Sequence, residues 1–522
     1  VTGPRAYPGP RPDGPGTPHG PGTPDGSGTQ HGSGTPHGSG AQHGPGIPDG
    51  PGTPSGTAAD LLIVGGDVVT MSPRREVVTG ATVAVAAGRI AAIGPAAVLR
   101  EAFPGTPELD ATGCVVIPGL VNAHQHVTAD PLVRSMIPDD IGSQESIFDW
   151  IVPLHGKVTG DDDELSATLT AAESLLLGVT TLLEPGTVAH PLRVAAGLRS
   201  AGVRARVGRW GWDVPGAVHA LPAAETLALQ EETVRALPPG GTVTGWVTLV
   251  GHDLASDELF TGAAELAARL GVGLTWHISP GEADVHAYAR RAGTRPVLHL
   301  RDLGVLGPDL VLGHAVWLDD AELDALVETR TAVASCPGAY LRLGQGYARA
   351  GRHAELVHRG GRLALGCDSH NAGDVPDLLG AARLLAALER DRDTRPVLGA
   401  GRAFALATID GAAAVGLGDL VGSIEVGKAA DLVVMDARDP AWIPRGDLAT
   451  HLVWGAPSHT VRDVLVDGRV VVRDGRITTV DLDDLAGQAR ERSAALLART
   501  GIEVPHRWRT VPAEEHVQGV RG

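Results

Sequence analysis

From about residue 115 to residue 418 the chain alternates two apolar patterns. Short runs rich in Val, Ile and Leu, each closed by a polar residue, glycine or proline, read as buried strands. In order they are "CVVIPGLVNAHQH", "GVTTLLEPG", "VRARVGRWGWD", "TGWVTLVGHD", "GVGLTWHIS", "DLVLGHAVWL", "TAVASCPGA" and "RLALGCDSH". Between them lie longer Ala/Leu-rich stretches, such as "DDELSATLTAAESLLLG" and "DELFTGAAELAARLG", that read as helices. Repeated strand–helix units argue for a parallel sheet covered by helices, and eight of them is the count of a (β/α)8 barrel. The predicted fold class is therefore α/β, with a TIM-like barrel over 119–418.

The flanks carry a different pattern. "DLLIVGGDVVT" and "TVAVAAGRIAAIG" near the start, and "GSIEVGKAADLVVMD" and "VRDVLVDGRVVVRDGRI" near the end, are β-type runs punctuated by glycine. They predict one small β-sandwich built from both chain ends, 58–118 and 419–475, followed by a C-terminal helix and tail over 476–522. Residues 1–57 form a Gly/Pro/Thr/His-rich arm with a six-residue repeat ("GTPHGP", "GTPDGS"). Its glycines fall alternately two and four apart, which breaks the every-third-residue rule of collagen. With almost nothing apolar to bury, the arm is expected to be disordered, and His19, His31, His37 and His43 to be solvated rather than ligands.

Composition narrows the function classes. At 522 residues and 43% hydrophobic content the chain can bury a large core, and a formal charge of −18 argues against nucleic acid as a partner. Cys114, Cys336 and Cys367 are far apart and form no C-x-x-C pair, as expected of a reducing cytoplasm. No apolar segment approaches the ~20 residues of a membrane helix, and the start does not read as a signal peptide. The expectation is a cytoplasmic bacterial protein with a small-molecule or peptide substrate and no membrane partner. Whether it forms a homo-oligomer stays open.

The chemistry sits where the predicted strands end: His124 and His126, Glu184, Asp213, His252, His277, His314, Ser335 and Asp368. In a parallel barrel those ends converge on one face, where active sites are built. His124 and His126 are two apart, so in a strand both point to one side and can reach one ion. An H-x-H by itself is a weak signal, and two surface histidines would be its ordinary meaning; the apolar strand and Pro-Gly before it sharpen it.

"VIPGLVNAHQH" resembles the first-strand signature of the amidohydrolase superfamily, and "GSIEVGKAADLVVMD" resembles the C-terminal sandwich motif of its cytosine deaminase/chlorohydrolase-like branch. The likeness spans nearly all of 58–475. It implies a barrel with a split sandwich and one divalent metal ion, zinc foremost and iron second, that activates water for hydrolysis at carbon. Carried over by position, it implies His124, His126, His277 and Asp368 as metal ligands. It gives Asp368 the further role of proton carrier, His314 a contact to water or substrate, and His252 a contact to substrate. Tyr340, Glu282 and His370 are further candidates for the substrate side. Binuclear relatives bridge two metals with a carboxylated lysine; here only Lys157 and Lys428 exist, one before the second strand and one in the sandwich motif, which favours one metal. Glu184 is expected to support the site rather than bridge.

Two departures bear on the reaction. The deaminase branch keeps H-x-x-E on the fifth strand, whereas "HISP" places Pro280 where that proton-shuttling glutamate would stand. Glu282 reaches the site only if the loop bulges, so a solvated carboxylate is the expectation for it. On the seventh strand, "SCPGAYLRLG" replaces the usual polar set. Both changes favour cleavage of an amide or amidine-type C–N bond on a specialised substrate, of which follower-peptide cleavage of the bottromycin type is one form. Deamination of a purine, pyrimidine or triazine-like heterocycle is the alternative, and a non-catalytic scaffold the remote third.

Overall fold

A computed structural model describes residues 58–392 and 398–512. The repeat arm and the last residues of the tail lie outside the described residues, and so do the expectations placed on them. The β-runs of the two ends hydrogen-bond into one nine-stranded sheet. Leu61–Val69, Val77–Ala86, Arg89–Gly94, Glu108–Asp110 and Cys114–Pro118 come from the front, and Leu432–Asp436, Val461–Val466, Arg469–Arg473 and Arg476–Ile477 from the back. The seam is antiparallel, Cys114–Pro118 against Leu432–Asp436, with Val116 opposite Val434. Ala87-Gly88 and Asp467-Gly468 both take positive φ (48° and 76°; 50° and 77°), the two-residue hairpin turn that follows the strands' own twist. Val83, Val85, Val116, Val434 and Leu465 fill the sandwich's own core.

What reads in sequence as one first strand is two in the structure. Cys114–Pro118 stays in the end sheet, and Leu120–Asn122 opens the barrel. The other barrel strands are Val179–Leu183, Arg204–Val207, Val243–Gly245 continued by Val247–Gly251, Leu274–Ile278, Leu310–His314, Ala332–Ser335 and Arg362–Leu365, all parallel. The fourth is interrupted at Trp246, whose N–H still bonds Val207 O on the third strand (2.9 Å). The barrel closes between its eighth and first strands, where Ala123 N donates to Leu365 O (2.8 Å) and Cys367 N to His124 O (3.1 Å). Gly366 stands at this seam because a Cβ there would lie 2.6 Å from His124 Cβ.

Helices follow from caps legible in the chain. Thr159 and Asp162 form a capping box on Gly160–Leu176; Ser256 caps Asp257–Leu270, which ends at left-handed Gly271. The C-terminal helix Leu482–Thr500 docks through Leu485 and Leu496 against Leu132, Val133 and Leu165. Its Arg492 and Arg499 pair with the buried Asp162. That docking braces the long loop after the first barrel strand, which lines the site described below. Among the described residues no helix is long and apolar enough to cross a membrane.

Barrel and sandwich are tied by one buried ion pair. Arg204 on the third barrel strand makes a two-pronged contact with Asp431, both bonds 2.9 Å, with side chains 5% and 0% exposed. Arg204→Met leaves Asp431 charged, buried and unpaired, and should lower the unfolding free energy by about 3–5 kcal/mol in denaturant titration.

Candidate active site

The strand ends deliver their side chains on an unusual backbone. His252 (φ 56°), Ser279 (47°), His314 (74°), Ala315 (46°) and Asp368 (66°) all lie in the left-handed region, which ordinary residues avoid. Backbone bonds hold them there: His252 N to His277 O (2.9 Å), Ala315 N to Ile278 O (2.9 Å), Val316 N to Ser279 O (3.0 Å) and Asp368 N to His124 O (3.0 Å). Strain of this kind gathers at functional sites.

Four of the predicted residues come together. His277 Nδ1 lies 2.7 Å from Val250 O; a carbonyl only accepts, so Nδ1 carries the proton and Nε2 a lone pair. His126 Nδ1 lies 2.7 Å from Thr187 Oγ1, and that hydroxyl donates to Glu184 Oε1 (3.0 Å), so His126 Nε2 is also a lone pair. These two Nε2 atoms face each other at 3.2 Å. Asp368 Oδ1 lies 3.4 Å from His126 Nε2. His124 is fully buried and neither of its ring nitrogens has a hydrogen-bond partner. Burial pushes His124 and His277 well below the usual histidine range, and His126 to about 4, so all three rings are neutral at pH 7. Burial drives the Asp368 carboxyl the other way, up to about 7.

Converging lone pairs with no proton between them are what a cation resolves. Two nitrogens bound tetrahedrally to one zinc at about 2.0–2.1 Å stand about 3.3 Å apart. His124, His126, His277 and Asp368 therefore fit one divalent ion. Cys336 also lies close, in a group with His124, His314 and Asp368. Burial, helped by the nearby Asp368 and Cys367, pushes its thiol far up, so it stays protonated and is a poor ligand.

The remaining predicted residues divide. His314 sits beside His124 with ring centres 4.8 Å apart, and its Nδ1 is buried without a partner. His252 stacks on His277 at 5.2 Å. Both line a pocket over the strand ends, together with His126, His277 and Asp368. Tyr340, Glu282 and His370 are not among its lining residues. The Tyr340 hydroxyl accepts from Cys336 N (2.7 Å) and lies 3.4 Å from His314 O, bracing the wall from behind. Glu282 opens the helix Glu282–Ala292 and is exposed. His370 turns from the pocket to Glu173, 3.1 Å away. Two other polar strand ends are structural: Asp213 accepts from Ser256 N (2.8 Å), and Ser335 bonds His353 (2.9 Å).

Several residues escape sequence reasoning. Pro280 lines the pocket, so the position of the absent glutamate does face it. The acid that turns inward is Asp284: Oδ2 accepts from Ser279 N (2.6 Å) and Oδ1 stands 3.4 Å from His252 Nδ1. An acid in the first turn of a helix, folding back on the preceding backbone, was the available signal. Thr187, Asp130, His155, Trp210 and Asn371 also line the pocket, and nothing periodic marks them in the sequence.

Residues 115–471 match the amidohydrolase family, and residues 83–105 an imidazolonepropionase-like composite domain of bacteria. A 5-methylthioadenosine/S-adenosylhomocysteine deaminase of Syntrophobacter fumaroxidans is 35% identical over 83% of this chain and 97% of that protein. A 5'-deoxyadenosine deaminase of Methanosarcina mazei is 29% identical over 84% of this chain and 99% of its own length. The crystal structure of an adenosine deaminase from Xanthomonas campestris with bound zinc superimposes with a TM-score of 0.80 at 28% identity, covering 85% of this chain and 99% of that one.

Cation uptake requires the Asp368 carboxyl to be ionised, and without a cation it titrates at about 7. Zinc affinity should therefore level off above that pH and fall about tenfold per pH unit below it from this group, measured by competition with a chelator. Thr187→Val frees the His126 ring and should weaken zinc binding by about 10–100-fold at any pH.

Proposed function

This chain belongs to the amidohydrolase family and is an enzyme of carbon–nitrogen bonds, and from that premise we propose that it releases ammonia from the exocyclic amine of an adenine-type nucleoside. The observation that carries this reading is similarity running end to end, to 97% and 99% of the lengths of relatives named as deaminases of such nucleosides. Those relatives favour deamination over the amide or follower-peptide cleavage that the missing glutamate suggested.

In this reading His124, His126, His277 and Asp368 hold one zinc ion. Such an ion, when bound, supplies Lewis acidity and lowers the pKa of water toward neutrality. Asp368, its Oδ1 fixed by Ser369 N (2.8 Å), takes the proton of the attacking water and passes it to the departing nitrogen. His314, buried and with Nδ1 unpartnered, meets the charge that develops on the attacking oxygen. Pro280 carries no proton, so the ring nitrogen must be met by another group. In this reading His252 takes that part: it lines the same pocket, with Nδ1 3.4 Å from Asp284 Oδ1 and Nε2 left for the heterocycle. Phe148 and Trp212 supply the apolar walls that a flat ring system packs against.

Zinc-loaded enzyme should release ammonia from 5'-deoxyadenosine or 5'-methylthioadenosine. No ammonia from either, with cleavage of simple amides, would overturn the reading. Asp368→Asn should cut kcat by about 10²–10⁴-fold. Glu282→Gln, altered on an exposed helix position, should keep nearly full activity.

A further inference from the structure

The same pocket holds a second polar cluster that none of the steps above uses. Asp130 and His155 are both 1% exposed. Asp130 Oδ1 accepts from Asn371 Nδ2 (3.0 Å), while Oδ2 stands 3.8 Å from His155 Nε2, too far for a hydrogen bond. His155 Nε2, Trp210 Nε1 and Asn371 Oδ1 are buried and have no partner. The His155 and Trp210 rings lie side by side with centres 5.0 Å apart, and all four residues line the pocket. Native interiors seldom leave three such atoms unmet in one place, and a group that completes them is the natural explanation.

The donor and acceptor balance says what kind of group. The indole N–H only donates, the Asn371 oxygen and the Asp130 carboxylate only accept, and the imidazole nitrogen can do either. Burial works against the Asp130 charge, but His155 and Asn371 outweigh it and keep the carboxyl below its usual range. A group that both donates and accepts, with no charge of its own, satisfies this set. A carboxylate or phosphate would meet the fixed negative charge of Asp130. The rest of the wall brings no side chain of fixed positive charge to offset it: Ile147, Phe148, Val152 and Leu254 are apolar, Ser146 and Gln345 are uncharged, and none of the described lining residues is lysine or arginine.

We propose that Asp130, His155, Trp210 and Asn371 form a subsite for an uncharged hydroxyl-bearing substituent, and that the pocket rejects substrates whose substituent ends in a carboxylate. The proposal rests on the nucleoside reading, and it narrows that reading to neutral substrates.

The test compares ligands first and variants second, on the full zinc-loaded chain. Calorimetry would measure the affinity of the unreactive product 5'-deoxyinosine, of its analogue lacking the 2' and 3' hydroxyls, and of inosine 5'-carboxylate. Loss of the hydroxyls should weaken binding by about tenfold, the loss expected for a buried hydrogen-bonding pair. The carboxylate compound should bind at least as poorly. Trp210→Phe, which keeps the ring and deletes the N–H, should shrink the hydroxyl effect; Asp130→Asn should shrink the carboxylate penalty. Equal affinity of wild-type protein for the hydroxylated and deoxygenated ligands, or for the carboxylate compound and 5'-deoxyinosine, would overturn the proposal even if neither variant folds. Ammonia release from 5'-deoxyadenosine, assayed in parallel, separates the two ideas. Turnover without ligand discrimination rejects the subsite alone; discrimination without turnover rejects the reaction and leaves the subsite standing.

Discussion

Two imidazole lone pairs face each other across 3.2 Å at the centre of this molecule, and neither ring can turn a proton inward to relieve the contact. The Nδ1 of His277 is committed to Val250 O, and that of His126 to the Thr187 hydroxyl. Burial prevents either ring from charging. In a low-dielectric interior such a pair is costly unless a cation lies against it. The surroundings serve to keep that arrangement from relaxing. Glu184, itself held by Gly186 N (2.8 Å) and Thr187 N (3.1 Å), fixes the threonine, and Gln125 ties the first strand end to the Asp368 carbonyl.

Strained strand ends are the second half of the same device. A residue at positive φ redirects its side chain where a regular strand would alternate it, and here that occurs at His252, His314 and Asp368 together. Each such conformation costs of order 1–3 kcal/mol. The cost is met by parallel backbone bonding between neighbouring strands and by the closed barrel, which leaves no edge to unravel. The Arg204–Asp431 pair and the C-terminal helix act farther along the chain, fixing sandwich and loop against the barrel that carries the strain.

Pro280 shows how the meaning of a correct local observation depends on what the fold places around it. The missing glutamate is real, and its position does face the pocket. It suggested amide cleavage because the acid was counted by its place in a motif. The fold instead brings Asp284 inward from the same first helical turn and sets it beside His252, so that this pocket-lining imidazole keeps a carboxylate behind it. Glu282, nearer in sequence, faces solvent because it occupies the helix's first position, whereas Asp284, two residues on, folds back over the backbone. The same limit explains Tyr340 and His370. Both follow a barrel strand within five residues of its end, yet each turns its polar atom away, toward Cys336 N and Glu173.

The alternation of apolar runs and helical stretches, the capping residues and the spacing of His124, His126, His277, His314 and Asp368 were enough to establish a barrel, a sandwich shared by both ends, and a cluster of ligand-type side chains on one face. Those features follow from periodicity and short-range backbone chemistry, which a linear string records. Which nitrogen carries a lone pair, which acid turns inward, and which polar atoms on the pocket wall are left without partners were decided only in three dimensions. Each depends on residues far apart in the chain meeting across the closed barrel, as Thr187 meets His126 and Asn371 meets Asp130, and no local pattern encodes such a meeting.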